Sequence, residues 1–212
     1  RIIMKVALSP IEFARRARRL YSKNEAVVDG DLRLTYEQFF DRCDRWSCAL
    51  QKMGVKKGDR VAYIAPNSHS HLEAYYAVPQ IGAILVPINY RLSADEFEYI
   101  INHSGSKVLC VHPDYFDTVD GVREKLVAVE HFVALEEKKD SWKEYEVLLG
   151  SSDMEYEAVD IDEDDLITIN YTSGTTARPK GVMITHRNAY MNIMGTLVHH
   201  HLTPEDLSLI HI

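Results

Sequence analysis

The residues from Tyr171 to Gly181 read Tyr-Thr-Ser-Gly-Thr-Thr-Ala-Arg-Pro-Lys-Gly and follow the alternating β-branched run Leu166-Ile167-Thr168-Ile169. A strand that feeds small hydroxyl residues and glycine, closed by proline and one lysine, has the chemistry of a phosphate cradle. Glycine lets backbone N–H groups approach an anion, hydroxyls add donors, and a lysine supplies the opposing charge. Such a loop calls for a polyphosphate, most simply ATP.

The common phosphate-binding loop, G-x-x-x-x-G-K-[ST], shares the separation from Gly174 to Lys180 but fails at two positions. Pro179 stands where the second glycine is needed, and it also lacks a backbone donor. Gly181 stands where the magnesium-binding hydroxyl would be. The residues after it, Val182-Met183-Ile184-Thr185, read as a second strand rather than a helix. The spacing therefore predicts a strand–loop–strand cradle of a different kind.

The loop must be carried by a folded domain, and the composition allows one. The 212 residues are 46% hydrophobic and 26% charged, the balance of a soluble globular protein with a sizeable core. No apolar run approaches the roughly 20 residues of a spanning helix. Arg1-Ile2-Ile3-Met4 lacks the apolar core and cleavage site of a signal peptide. A net charge of −8 argues against nucleic acid as the main partner. Cys43, Cys48 and Cys110 lack metal-ligand spacing. Cys43 and Cys48 fall on different faces of one helix, so reduced thiols in a cytoplasmic protein are expected.

Helix and strand signals alternate along the chain. Ser9-Pro10-Ile11-Glu12 opens a helix with a basic face around Arg15, Arg16, Arg18 and Arg19, expected to dock on the domain rather than on a membrane. Ala26-Val27-Val28 and Leu32-Arg33-Leu34 flank Asp29-Gly30 as a hairpin. Thr35-Tyr36-Glu37-Gln38 is a capping box that opens a helix ending at Met53-Gly54. Val61–Ile64, Ile84–Ile88, Lys107–Val111 and His131–Leu135 read as strands. Helices between them start at Pro66-Asn67-Ser68 and at a cap at Ser93-Ala94-Asp95-Glu96, with a further helical turn near Val122–Leu126. The apolar run Ile84-Leu85-Val86-Pro87-Ile88 predicts a parallel strand buried on both faces. This alternation selects an α/β fold, a layered and mostly parallel β-sheet with flanking helices.

Residues 136–165 form an acidic surface connection with one short helix expected at Ser141-Trp142-Lys143-Glu144. Adjacent aspartates such as Asp164 and Asp165 have magnesium-binding chemistry, but acidic linkers are usually solvated, and no metal ligands are assigned. Ser68-His69-Ser70-His71 is read as a helix N-terminus, not a nucleophile–base pair, because no G-x-S-x-G elbow surrounds it. His186 at a strand–helix junction is read as structural. His199, His200 and His201 point about 100° apart on a helix and cannot converge on one metal.

Thr172 to Gly181 resembles the T-S-G-T-T-G-x-P-K-G signature of the adenylate-forming superfamily, which includes acyl-CoA synthetases, luciferases and peptide-synthetase adenylation domains. One position departs: Ala177 replaces the usual glycine. The loop keeps its form if that position has φ < 0, and is strained if it needs φ > 0. Arg33-Leu34-Thr35-Tyr36 is similar to the family's short opening motif. Gln80–Asn102 is similar to the segment preceding its loop, where the role is packing. The resemblance implies that Thr172, Ser173, Gly174, Thr175 and Thr176 hold the β- and γ-phosphates of ATP, with Lys180 as the catalytic charge clamp.

The implied reaction joins a carboxylic acid to ATP with Mg²⁺, giving acyl-AMP, and then to CoA. Segments around Ala74-Tyr75-Tyr76 and Val86–Arg91 look most like ligases for a fatty or related organic acid. A peptide-synthetase adenylation domain is the alternative, and a non-catalytic fragment with weak nucleotide binding is the rival from another class. Residues 1–212 would be the N-terminal portion of the large AMP-binding domain. The adenine-binding motif, the Y-G-x-T-E segment, the hinge aspartate and the C-terminal lysine are not among them, so this piece alone is expected to lack turnover. The resemblance is compatible with a homodimer.

Overall fold

A computed structural model describes residues 6–153, 155–172, 178–200 and 203. Each early helix begins where the sequence places a cap. In α1 (Pro10–Tyr21), the Ser9 side chain accepts from the Ile11 amide. In α2 (Tyr36–Lys52), Thr35 and Gln38 form the reciprocal capping box. In α3 (His69–Gln80), Ser68 accepts from the His71 amide, and in α4 (Ala94–Ser104), Ser93 and Glu96 repeat the box. These bonds satisfy amides that have no partner inside the helix. At the other end of α4, Gly105 takes φ +62°, and a Cβ there would meet Arg60 Nη2 at 2.6 Å. Glycine takes this conformation without strain and leaves the Arg60 guanidinium in place.

Strands β1 (Glu25–Asp29) and β2 (Leu32–Thr35) pair as a separate antiparallel hairpin. The main sheet contains β3 (Arg60–Ile64), β4 (Ile84–Ile88), β5 (Val108–Val111), β6 (His131–Ala134), β7 (Lys143–Glu144), β8 (Leu166–Thr172) and β9 (Lys180–Thr185). Its order is β7-β6-β5-β3-β4-β8-β9, with every pairing parallel except β8–β9. The predicted mostly parallel α/β sheet is therefore the observed one. Strand alternation divides the core in two. Val61, Tyr63, Leu85, Val108 and Cys110 pack on one face with α2, α3 and α6 (Tyr145–Gly150). Ala62, Ile64, Val86, Leu109 and Val111 pack on the other with α4 and α5 (Phe116–Asp120). Burial on both faces is why these strands read as unbroken apolar runs.

Three details differ from the sequence reading. The helix expected at Ser141–Glu144 is instead an edge strand, because Lys143 and Glu144 pair with Val133 and Ala134. Ser141 has φ +67°, outside the extended region of an N-cap, and α6 begins only at Tyr145. Helix α5 gave no sequence signal; it has no side-chain cap and is held by burial of Phe116 and Val119. The helical turn near residue 124 is a single 3₁₀ turn at Arg123–Lys125.

The basic helix α1 docks as expected. Ile11 is buried, Arg18 Nη1 donates to Asp44 Oδ2 at 2.7 Å, and Phe13 stacks on Tyr190 with ring centroids 4.9 Å apart. Cys43 and Cys48 leave α2 in different directions, yet both are buried, because α2 is covered on both flanks. Among the described residues no helix is long and apolar enough to cross a membrane.

A polar network ties the helices of the first core face together. Glu73 of α3 is 0% exposed. Arg42 Nε donates to its Oε1 at 2.5 Å, and the Tyr145 hydroxyl donates to Oε2 at 2.5 Å. Arg42 Nη2 also donates to Glu146 Oε1 at 2.5 Å. His69 Nδ1 lies 2.7 Å from Asp29 Oδ2, and its Nε2 lies 3.8 Å from Glu146 Oε1. At 3.8 Å the second contact is a charge interaction rather than a hydrogen bond.

This cluster predicts a stability optimum. His69 and then Arg42 pull the Glu146 carboxyl down to about 2, so its contribution is present above the ordinary 4.5 and fades as pH falls towards 2. Glu146 and then Asp29 raise His69 above the ordinary 6.5. Its contribution is therefore complete below 6.5 and fades as pH rises through the folded value. Both contributions are fully present only between about pH 5 and 6.5. Urea midpoints should be highest in that window, and His69→Gln should flatten the decline on its alkaline side. A wild-type midpoint that keeps rising above that window would refute this role for His69.

Candidate phosphate-loop site

The strand–loop–strand arrangement read from the sequence is an antiparallel pair, β8 and β9. Its register places Thr172 opposite Lys180, Tyr171 opposite Gly181, and Asn170 opposite Val182. Directly opposed side chains leave the same face of a hairpin, so the hydroxyl that opens the motif and the lysine that closes it emerge together. Both are exposed. Lys180 makes no ion pair among the described residues. Ser173, Gly174, Thr175 and Thr176, with Ala177, lie outside the described residues.

Gly181 has a packing role. A Cβ there would stand 2.9 Å from Ile169 Cγ2 and 3.2 Å from Tyr171 Cζ, so its bare backbone makes room for the Tyr171 ring. That ring extends to α4, where His103 Nδ1 lies 2.7 Å from the Tyr171 hydroxyl. Burial, with a smaller effect of Tyr99, raises the Tyr171 phenol, which keeps the hydroxyl neutral. On the other arm, the Arg178 guanidinium lies 5.2 Å from the centroid of the Tyr99 ring. The sequence reading assigned this helix packing alone. An aromatic residue and a histidine four apart on the outer side of a capped helix are the only signal it offered.

His186 is structural, as expected. It is 0% exposed, and its Nδ1 lies 2.8 Å from the Ser9 hydroxyl, tying the start of α7 (His186–His200) to α1. Burial lowers it, so it is neutral. Thr185 and Asn188 cap α7 through bonds of 3.1 Å in each direction. Beyond the loop, Val182 and Met183 of β9 and Met191, Met194, Leu197 and Val198 of α7 are exposed.

A layered, mainly parallel sheet flanked by helices, with the antiparallel β8–β9 pair at its edge, defines an α/β domain. The chain belongs to the AMP-binding enzyme family, whose model matches residues 13–212. It is 39% identical over 190 residues to the long-chain-fatty-acid–CoA ligase of Thermus thermophilus, covering 87% of this chain and 35% of that protein. It is 35% identical over 216 residues to 4-hydroxybutyrate–CoA ligase 2 of Metallosphaera sedula, covering 97% of this chain and 38% of that protein. Among solved structures, the anthranilate CoA ligase AuaEII in complex with anthranoyl-AMP superposes with a TM-score of 0.83 at 25% identity, over 87% of this chain and 36% of that one. The chain thus spans little more than a third of the length of these relatives.

Proposed function

We propose that the protein carrying this chain is an ATP-dependent acid–CoA ligase for a fatty or related organic acid, and that residues 1–212 are the N-terminal portion of its large domain. A carboxylate oxygen attacks the α-phosphorus of ATP, the bond to pyrophosphate breaks, and acyl-AMP forms. The CoA thiol then displaces AMP to give the thioester. The first step develops negative charge on the departing pyrophosphate, so fixed donors and a fixed cation lower its barrier. Thr172, Ser173, Gly174, Thr175 and Thr176 hold the β- and γ-phosphates, and Lys180 is the charge clamp. Among the described residues no three His, Cys, Asp or Glu side chains converge to hold a metal; in this reading Mg²⁺ arrives on the triphosphate.

The observation that carries this reading is the register that brings Thr172 and Lys180 to the same face of the hairpin. The relatives, named as ligases of a long-chain and a short hydroxylated acid, support the substrate class. The exposed apolar band on β9 and α7 supports a larger domain, because patches of this kind usually mark a surface that other chain covers. The 212-residue chain by itself is then without turnover. The test is to give the intact protein ATP, Mg²⁺, CoA and a panel of carboxylic acids while measuring pyrophosphate release and acyl-CoA. Acid-dependent release of both is expected; ATP binding with no acid-dependent pyrophosphate would reject the ligase assignment.

A further inference from the structure

The two arms of the β8–β9 hairpin are joined through α4 as well as through their own ladder. The inner side of α4 is core, with Phe97, Ile100 and Ile101 fully buried. Tyr99 and His103, four residues apart and therefore on one face, point the other way. Their rings stack with centroids 5.3 Å apart. His103 then meets Tyr171 edge-on at 5.8 Å and hydrogen bonds its hydroxyl. Tyr99 carries the Arg178 guanidinium on its face. The result is a continuous ladder, Tyr171–His103–Tyr99–Arg178. Its ends lie one residue before Thr172 and two residues before Lys180.

We propose that Tyr99 and His103 are positioning residues for ATP: they fix the separation and direction of the two arms so that Thr172 and Lys180 reach the triphosphate together. This rests on the ligase reading of the hairpin. The ladder starts from a helix anchored in the core and capped at both ends, so the arms are set before nucleotide arrives. The Arg178 contact has a second effect. A guanidinium two residues from Lys180 is drawn onto the Tyr99 ring, in a cleft of about 700 Å³ that Asp95 and Glu98 also line. Among the described residues this leaves Lys180, opposite Thr172, as the cation beside the loop.

The experiment uses the intact protein with four single variants, Tyr99→Ala, Tyr99→Phe, His103→Ala and Tyr171→Phe, and the double variant His103→Ala/Tyr171→Phe. In acid-dependent pyrophosphate exchange, Tyr99→Ala and His103→Ala should each raise the KM for ATP about two- to tenfold, the range for one exposed ring–cation contact or one hydrogen bond. The KM for the acid should not move. Tyr99→Phe keeps the ring and should match wild type. The double variant should be no worse than its worse single, since both changes break one bond. Hydrogen exchange at the amides of Thr172 and Gly181 should quicken in the two alanine variants while the thermal midpoint stays near wild type.

An unchanged KM for ATP together with unchanged amide exchange overturns the proposal, as does a Tyr99→Phe variant as impaired as Tyr99→Ala. If wild type shows no pyrophosphate exchange, the ligase reading fails. Amide exchange alone then decides whether α4 sets the arms, with faster exchange supporting the ladder and unchanged exchange refuting it.

Discussion

Replacing Lys180 with alanine should slow ATP–pyrophosphate exchange of the intact protein by about 10²–10³-fold, the usual cost of removing one preorganised group that faces developing negative charge. The lysine is suited to that role by position. It is the first residue of β9, held by the ladder opposite Thr172, and its side chain is exposed. Its backbone is fixed by the sheet while its ammonium is available to a ligand. Because the charge it meets grows during bond breaking, the loss should fall mainly on kcat for adenylation. Conversion of preformed acyl-AMP to thioester should change much less, since no pyrophosphate leaves in that step. Stability should stay within about 0.5 kcal/mol of wild type, as for other exposed positions. Exchange at the wild-type rate would remove Lys180 from the mechanism.

Arg42→Ala should be the most destabilising single change in the polar network, costing about 3–5 kcal/mol, because it strands a fully buried carboxylate. Glu73 lies at 0% exposure between α2, α3 and α6, and burial raises its pKa against the opposing pull of Arg42. Without Arg42, only the Tyr145 hydroxyl bonds it among the described residues. Changing both partners to apolar residues, as in Arg42→Met with Glu73→Leu, should recover most of the loss, because the unpaired charge is then gone. The exposed pair Lys23–Glu37 is the control; Lys23→Ala should cost no more than about 1 kcal/mol. Urea midpoints of these variants test the ordering. A loss for Arg42→Ala no larger than for Lys23→Ala would show that Glu73 gains no stability from its partner.

Much of this was legible in the chain because the interactions concerned are local. Ser9, Thr35, Ser68 and Ser93 each bond an amide two or three residues ahead, and those short loops need no tertiary context. The two strands read on either side of the loop are observed as β8 and β9, because strand alternation also acts over a few residues. Ser141–Glu144 misled because its cap-like composition competed with pairing to β6, and the sheet won. Helix α5 had no local signal and owes its existence to what Phe116 and Val119 pack against.

By itself the sequence determined most of the element order, the mainly parallel sheet and the family, since each rests on residue types at short and regular spacing. Only the tertiary structure decided that Arg42, Glu73 and Tyr145 meet across three helices, and that α4 reaches both arms of the loop hairpin through Tyr99 and His103. The physical reason is distance along the chain. Glu73 and Tyr145 are separated by 72 positions, and His103 and Tyr171 by 68. No periodicity or cap encodes such a pairing; it exists only once the sheet has brought its helices to their places.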